Sequence, residues 1–218
     1  MHLDTRLQTI AEFVPKGSRV ADIGTDHGYL AIELIKKGIA TFVIASDKNI
    51  GPLEAARKNV ETMTLESKID LRLGDGLQTL KPNEVDVICI AGMGGALICD
   101  ILNAAPEIIA TTKKLILQPM NAVDKVRHWA AKNSFYVEDE DLAEVDDIIY
   151  EIICLSRNFD SVKVTRKSNS TLYNKFIENK IKNLQKIVES MSLSQKAKGS
   201  DKYLEIENQI KELKAKLK

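Results

Sequence analysis

A glycine-containing turn between an apolar run and a helical pattern most restricts what this 218-residue chain can fold into. Val20, Ala21 and Ile23 precede Gly24, and after Gly28 the apolar residues recur at helical spacing. This order predicts a strand, a tight turn and a helix. Glycine lets a ligand approach the backbone, and the helix start offers free N–H groups to it. Nucleotide-like cofactors bind at such turns in α/β sheets.

The turn departs from the G-x-G-x-x-G fingerprint of dinucleotide-binding proteins. Counting from Gly24, the second and third glycine positions hold Asp26 and Tyr29. Asp22 lies two residues before Gly24, and a carboxylate there suits a cationic ligand group better than a pyrophosphate. The turn therefore favours a cofactor with a positively charged end.

Strand-like and helical patterns alternate through residue 157, which predicts an α/β domain over residues 1–157 with a parallel sheet covered on both faces. Residues 135–157 add two more strands, joined by a turn at 144–147, for seven strands in all. The other predicted strands are 19–24, 42–47, 69–75, 85–91 and 114–118, and the predicted helices are 3–14, 29–37, 52–63, 95–102 and 123–133.

The pattern changes after Arg157. Apolar residues recur at steps of three and four on either side of a polar stretch at 192–201, which predicts an antiparallel helical hairpin, or coiled coil, over residues 158–218. The predicted apolar seam consists of Leu172, Phe176, Ile177, Ile181, Leu184, Ile187, Val188 and Met191 on one helix, and Ile206, Ile210, Leu213 and Leu217 on the other.

The formal net charge of zero hides an asymmetry between the two parts. Residues 1–158 contain 17 Lys and Arg against 24 Asp and Glu, a balance of −7, and residues 159–218 carry the compensating +7. A basic segment on an acidic body indicates an anionic macromolecular partner. A solvated helix surface is the alternative interpretation.

Several classes of protein are excluded by composition. No apolar stretch approaches the roughly 20 residues that span a bilayer, and no secretory leader is visible. Cys89, Cys99 and Cys154 are far apart among apolar neighbours, which predicts buried thiols without a disulfide framework. The acids and the histidine of the turn have no further His or Cys ligands nearby, so we expect no metal. We expect a cytoplasmic protein, monomeric in solution, with no membrane partner.

Three predicted strands end in acids, Asp22, Asp47 and Asp75. Ligands bind beyond the carboxyl ends of parallel strands. Asp47 follows Gly24 by 23 residues, a position where a carboxylate accepts hydrogen bonds from two ribose hydroxyls. Asp75 can accept a hydrogen bond from the exocyclic amine of an adenine. Any one of them could simply form a turn, but three in order indicate a cofactor site.

Five segments together resemble the bacterial tRNA (adenine(22)-N1)-methyltransferase family, TrmK, within the class I S-adenosylmethionine-dependent methyltransferases. The resemblance covers residues 3–157, and the helical hairpin is also typical of that family. It implies transfer of a methyl group from S-adenosylmethionine to N1 of adenine-22 in tRNA. The segments are Ala-Asp-Ile-Gly-Thr-Asp-His-Gly-Tyr-Leu (21–30), Gly-Asp-Gly-Leu (74–77), Ala-Gly-Met-Gly-Gly (91–95), Leu-Gln-Pro (117–119) and Tyr-Glu-Ile (150–152).

The resemblance also implies three groups of site residues. The cofactor group is Asp22, Gly24, Thr25, Asp26, His27, Gly28, Tyr29, Asp47, Lys48, Asn49, Asp75, Gly76, Gly92 and Met93. The catalytic group is Asp26, Met93, Gly94 and Gly95. The substrate group is Arg6, Gln118 and Pro119 at the entrance, and, because of the basic tail, Arg166, Lys167, Lys175, Lys180 and Lys182. One departure is Met120, where the family pattern leads us to expect asparagine.

Chemistry at adenine N1 explains one feature of the fourth strand. Many amino-directed methyltransferases carry Asn/Asp-Pro-Pro-aromatic there, whereas this chain has Gly-Met-Gly-Gly at 92–95. N1 of neutral adenine has a lone pair and no proton to lose, so no general base is obligatory and positioning supplies most of the catalysis. The product ring is cationic, which Asp26 could stabilise, and the base must be unpaired or flipped out.

Two other functions compete with this interpretation. An NAD-dependent oxidoreductase would use the same turn, but Asp26 at the second glycine position argues against it. A non-catalytic RNA-binding or coiled-coil adaptor could keep a degenerate form of the fold, but the intact set Asp22, Asp47 and Asp75 argues against that.

Overall fold

The computed structural model describes residues 3–158, 170–194 and 197–217. The chain forms two compact units, Met1–Lys167 and Ser168–Lys218. The predicted domain boundary between residues 157 and 158 stays a prediction, because residues 159–169 lie outside the described residues.

The first unit alternates strands and helices as predicted. Its strands are β1 Ser18–Ile23, β2 Ala40–Asp47, β3 Ile69–Leu73, β4 Val87–Met93, β5 Lys114–Pro119, β6 Tyr136–Val145 and β7 Ile148–Ser156. Its helices are α1 Thr5–Phe13, α2 Tyr29–Lys36, α3 Ile50–Thr62, α4 Gly95–Asn103, α5 Pro106–Thr111 and α6 Val123–Lys132, with a 3₁₀ helix at Gly76–Thr79.

The seven strands form one sheet in the order β3-β2-β1-β4-β5-β7-β6. β1 to β5 are parallel to one another, and β7 runs antiparallel to both β5 and β6. The order steps outward from β1 in both directions, so the loops after β1 and β4 lie side by side at a topological switch point, where ligands bind in open α/β sheets. The predicted fold class is confirmed.

Alternate residues of the central strands pack into two apolar clusters, one on each face of the sheet. The first cluster includes α1, α2 and α3, and the second includes α4, α5 and α6. Both faces are buried, which explains why the parallel strands read as continuous apolar runs. Fully buried examples are Val20, Val43, Ala45 and Cys89 in the first cluster, and Ala21, Ile44, Ile88 and Leu115 in the second.

Two short elements were not predicted, α5 and the 3₁₀ helix. They contain six and four residues, too few to show a helical period in the sequence. Cys89 and Cys154 are buried as predicted, whereas Cys99 is only partly buried. None of the helices described is both long and apolar enough to cross a membrane.

The second unit contains α7, Ser170–Ser192, and α8, Asp201–Lys214, which pack against each other. The predicted hairpin is confirmed. Ile177, Ile181 and Ile206 are buried in its seam. Ile187 was wrongly placed there and is 45% exposed. It directly precedes Val188, and neighbouring residues of a helix lie about 100° apart, so only one of them can face the partner helix.

Candidate functional site

A cleft of about 700 Å³ lies at the carboxyl ends of the parallel strands. Loops after β1, β2, β3 and β4 form one side, and α1 with the β6–β7 hairpin forms the other. Most residues of the predicted site therefore meet in one place, although they come from separate segments. The predicted residues that line the cleft are Arg6, Asp22, Gly24, Thr25, Asp26, His27, Tyr29, Asp47, Lys48, Asn49, Asp75, Gly76, Gly92 and Met93.

Asp22 ends up buried beneath the turn, with 5% of its surface exposed. The Thr25 hydroxyl donates a hydrogen bond to its Oδ2 at 2.6 Å. Burial raises the pKa of Asp22 to about 6; the nearby Asp47 raises it further, and the Thr25 hydrogen bond lowers it. A buried carboxylate with a raised pKa is a strong site for a cation, because an opposite charge would favour its ionised form.

The turn after β1 is fixed to the neighbouring strand. The backbone N–H groups of Gly24 and Thr25 both donate to the carbonyl of Ser46, at 2.8 and 2.9 Å. Gly24 has φ +76°, and a Cβ at this position would collide with the Met93 methyl group. The positive φ therefore favours glycine here, whereas the Met93 methyl group is the end of a flexible side chain and can move aside.

Asp26, His27 and Tyr29 form the exposed rim of the turn. Asp26 adopts φ +47°, and its side chain is 69% exposed. The His27 Nε2 lies 3.6 Å from the Asp26 carboxylate, and the rings of His27 and Tyr29 stack with their centroids 5.2 Å apart. Gly28 is the exception among the predicted cofactor residues. It caps α2 with φ +72°, and a Cβ there would lie 3.2 Å from the Ala56 Cβ, so it packs α2 against α3 and does not line the cleft.

The ends of β2 and β3 supply the other two acids. Asp47 Oδ1 accepts the backbone N–H of Asn49 at 2.8 Å, which fixes the carboxylate at the strand end. Asp75 is exposed and precedes the 3₁₀ helix. Ser46 was not predicted: it lines the cleft, it is fully buried, and its hydroxyl has no hydrogen-bond partner within the part of the chain that is described. A serine in an otherwise apolar strand, directly before the acid, was the available signal.

On the opposite side, Arg6 is held by a shared acceptor. Its Nη1 donates to Gln118 Oε1 at 2.9 Å, and the backbone N–H of Gly92 donates to the same oxygen at 3.0 Å. Gln118 is completely buried and does not line the cleft, and neither does Pro119. Met120 does line it and is 49% exposed. Gln118 therefore positions Arg6 and the β4 strand end.

The β4 strand runs two residues beyond its predicted end. Gly92 forms an irregularity in the pairing with β5 at φ +75°, and Met93 continues the ladder. Gly94 and Gly95 lie outside the cleft, facing Asn121 and Ala122. Their predicted position against the target base stays a prediction.

Gly95→Ala is expected to destabilise the protein by about 2 kcal/mol, as for other overpacked sites. The added Cβ would lie 2.6 and 2.7 Å from the backbone carbonyl oxygens of Ala122 and Asn121, which cannot move like a flexible side chain. Gly51→Ala in α3 is the control, because nothing lies within 4 Å of its Cβ position. It should stabilise slightly. Urea unfolding measures the stability of both variants. If Gly95→Ala were as stable as the wild type but had lost activity, Gly95 would again be a candidate catalytic residue.

The predicted basic contacts belong to the second unit. Lys180 and Lys182 are exposed on α7, and Lys175 is partly buried. The Lys180 Nζ lies 4.2 Å from the centroid of the Phe176 ring. Arg166 and Lys167 lie outside the described residues. Within residues 3–158, 170–194 and 197–217, no three His, Cys, Asp or Glu side chains form a possible metal site.

Comparison with known proteins identifies the family. The family described as "Methyltransferase domain" matches residues 3–153. The tRNA (adenine(22)-N(1))-methyltransferase of Bacillus subtilis is 41% identical over 153 residues, which are 70% of this chain and 64% of that protein. The crystal structure of B. subtilis TrmK superposes with a TM-score of 0.85 and 32% identity over 100% of this chain and 99% of that one. The chain belongs to the TrmK family.

A second similar structure contains a bound ligand. The Streptococcus pneumoniae protein Sp1610, a putative tRNA (m1A22) methyltransferase, was solved in complex with S-adenosyl-L-methionine; its TM-score is 0.79 at 32% identity, over 97% of this chain and 99% of that one. The predicted family is thus confirmed. The NAD-dependent alternative is set aside, because the family confirmed here is one of S-adenosylmethionine-dependent methyltransferases.

Proposed function

We propose that the protein transfers a methyl group from S-adenosylmethionine to N1 of adenine-22 in tRNA, acting as a cytoplasmic monomer. The observation that carries the proposal is the convergence of Asp22, Asp47 and Asp75 in one cleft of a TrmK-family chain. The relatives' names supply the position on tRNA, and the cleft supplies the chemistry.

The cleft residues fit the cofactor. Asp22 is buried with a raised pKa, which suits the ammonium group of the methionine part. Asp47 presents a fixed carboxylate to the ribose hydroxyls. Among the described residues, the buried Ser46 hydroxyl beside it has no hydrogen-bond partner, and a polar ligand atom would provide one. Asp75 and Gly76 line the same cleft, and we assign them to the adenine edge. When bound, the cofactor supplies an electrophilic methyl group on its sulfonium sulfur.

The protein's part in the reaction is positioning. Adenine N1 attacks with its own lone pair, so no side chain needs to remove a proton first. Met93 lines the cleft at the end of β4, which lies between β1 and β5 in the sheet, and its methyl group approaches Gly24. Asp26, exposed at the rim, is placed to stabilise the positive charge that develops on the ring.

The direct test uses labelled S-adenosylmethionine and an unmodified tRNA transcript. Label should enter the tRNA, and nuclease digestion should recover it as N1-methyladenosine from position 22. A transcript with guanosine at position 22 is the matched control and should stay unlabelled. Label at another position, or in another nucleoside, would overturn the proposal.

Asp47→Ala is expected to weaken S-adenosylmethionine binding about 10-fold or more, because two ribose hydroxyls lose a charged acceptor. The cofactor should raise the melting temperature of the wild type by mass action. The variant should lose most of that shift. Asp70→Ala is the control, since this acid lies on β3 outside the cleft. A full shift in Asp47→Ala would remove Asp47 from the ribose role.

A further inference from the structure

The wall of the cleft opposite the cofactor turn contains an aromatic residue that was not assigned a role, Tyr150 on β7. It lines the cleft and is partly buried. Across the antiparallel ladder it pairs with Ala143. Ala143 is buried, and it shares one face of the ladder with Tyr150, because directly opposed side chains lie on the same face.

The ring is held beneath a fixed guanidinium. The Arg6 Cζ lies 5.7 Å from the centroid of the Tyr150 ring, within the range of a cation–π contact. Arg6 also donates to Gln118 at 2.9 Å and forms an ion pair with Asp4 at 3.4 Å. Since Gln118 also binds the backbone of Gly92, the position of Tyr150 is tied through Arg6 to the end of β4.

Aromatic rings are few in the described lining of the cleft: His27, Tyr29 and Tyr150. The first two stack on each other and belong to the cofactor turn. The fourth strand, which carries a stacking aromatic in many amino-directed methyltransferases, has Gly-Met-Gly-Gly here. Tyr150 is thus the described ring on the substrate side of the cleft.

We propose that Tyr150 is the stacking surface for the flipped-out target adenine, with Arg6 fixed over one face of the ring and the base on the other. This proposal rests on the proposed function and adds the residue that holds the base. Flipped bases are held by stacking on aromatic side chains. An aromatic face also suits the product, since the methylated ring is cationic and is attracted by the ring quadrupole.

The positive charge of the methylated base also separates the roles of Arg6 and Tyr150. A guanidinium stacked on the base would repel the positive charge of the product, whereas it can donate hydrogen bonds to a phosphate or a base edge. Tyr150 carries no charge and can remain against the ring before and after transfer. The ring, and not its hydroxyl, is therefore the group that matters.

The test compares Tyr150→Phe with Tyr150→Leu in the full-length protein. The Leu variant should lose about 10- to 100-fold in kcat/KM for the tRNA transcript, from the loss of base stacking. The Phe variant should stay within about 3-fold of the wild type, because the ring remains. Cofactor affinity, measured by calorimetry, should be unchanged in both. Tyr136→Leu is the control, as Tyr136 is exposed at the far end of the β6–β7 ladder.

A second readout separates stacking from a merely structural role. A tRNA with 2-aminopurine at position 22 should fluoresce weakly on the wild type and on Tyr150→Phe, because a stacked base is quenched, and more brightly on Tyr150→Leu. Tyr150→Val, which suits a strand, replaces the Leu variant if that one does not fold.

Four outcomes are decisive. Lower kcat/KM with intact cofactor binding and a brighter probe supports the proposal. Wild-type turnover in Tyr150→Leu overturns it, and so does a parallel loss of cofactor affinity, which would place Tyr150 in the cofactor site. A wild-type protein that methylates no tRNA would instead refute the proposed function, and this proposal with it.

Discussion

Replacing Asp22 with asparagine should make the ligand-free protein more stable and should weaken S-adenosylmethionine binding about 100-fold or more. The affinity falls because the ammonium group of the cofactor loses a buried countercharge. The stability rises because a buried carboxylate with a pKa of about 6 is costly to ionise. Asparagine keeps an oxygen that accepts the Thr25 hydroxyl, which donates at 2.6 Å in the wild type.

The gain in stability should depend on pH in a defined way. The pKa of Asp22 rises on folding from 3.8 to about 6, so the folded state binds more protons than the unfolded state between these values. The contribution of Asp22 is therefore favourable below pH 4 and is lost as the pH rises through 6. The full difference is about 3 kcal/mol. Urea unfolding should show the variant more stable at pH 7 and equal to the wild type near pH 4.

Asp86→Asn is the matched control with the opposite sign. The pKa of Asp86 is lowered, first by the backbone N–H of Arg19 and then by Lys113. Its stabilisation is present at neutral pH and is lost as the pH falls. That variant should be less stable than the wild type at pH 7, without a change in cofactor affinity. If Asp22→Asn behaved in the same way as Asp86→Asn, the buried acid would be structural and not a cation site.

Reversing the charge of Lys180 and Lys182 to glutamate should weaken tRNA binding roughly 10- to 100-fold at low salt. Both lysines are exposed on α7, and phosphate neutralisation releases counterions. The slope of log affinity against log salt should become shallower by about 1.5 to 2, corresponding to two lost phosphate contacts. Binding of S-adenosylmethionine should not change, because the described residues that line the cleft all belong to the first unit.

The structure offers a control within the same hairpin. Lys202 and Lys211 are exposed on α8. Between residues 201 and 214, α8 carries three basic and four acidic residues, whereas α7 carries four basic and two acidic residues between 170 and 192. The same reversal on α8 should affect tRNA binding much less. If the substitutions on the two helices weakened tRNA binding equally, the response would be a non-specific one to total charge. If the substitutions on α7 left tRNA binding unchanged, the hairpin would have another role.

Much of the fold was predictable because its signals are local. The alternation of strands and helices, the hairpin at 144–147 and the three acids at strand ends each depend on neighbouring residues, and each lies where it was expected. The end of β4 was misjudged because a glycine usually ends a strand, whereas Gly92 is accommodated at positive φ and the ladder resumes at Met93.

The substrate side could not be derived in the same way. Arg6, Gln118 and Tyr150 are separated by more than 30 residues from one another in sequence, and no period or spacing connects them. Only the resemblance placed Arg6 and Gln118 near the entrance. The structure shows that Gln118 is buried and accepts a hydrogen bond from Arg6, and it brings Tyr150 into the same cluster.

The glycines show why residue type alone did not give roles. Gly24 and Gly92 line the cleft, whereas Gly28 and Gly95 pack one element against another. In the sequence all four are short, conformationally free residues in turns. Their roles are separated only by what a Cβ would meet, which depends on residues that are distant in the chain.

The pairing of α1 with the β6–β7 hairpin has a consequence for the order in which the protein becomes competent. The Thr5 hydroxyl donates to the carbonyl of Glu144, 139 positions later in the chain. The strands and loops that carry the three acids are synthesised before residue 100, whereas Arg6 acquires its partners Gln118 and Tyr150 only after β5 and β7 have emerged. Arg6 therefore reaches its place in the cleft only after nearly the whole domain has been synthesised, which agrees with a domain that folds as one unit.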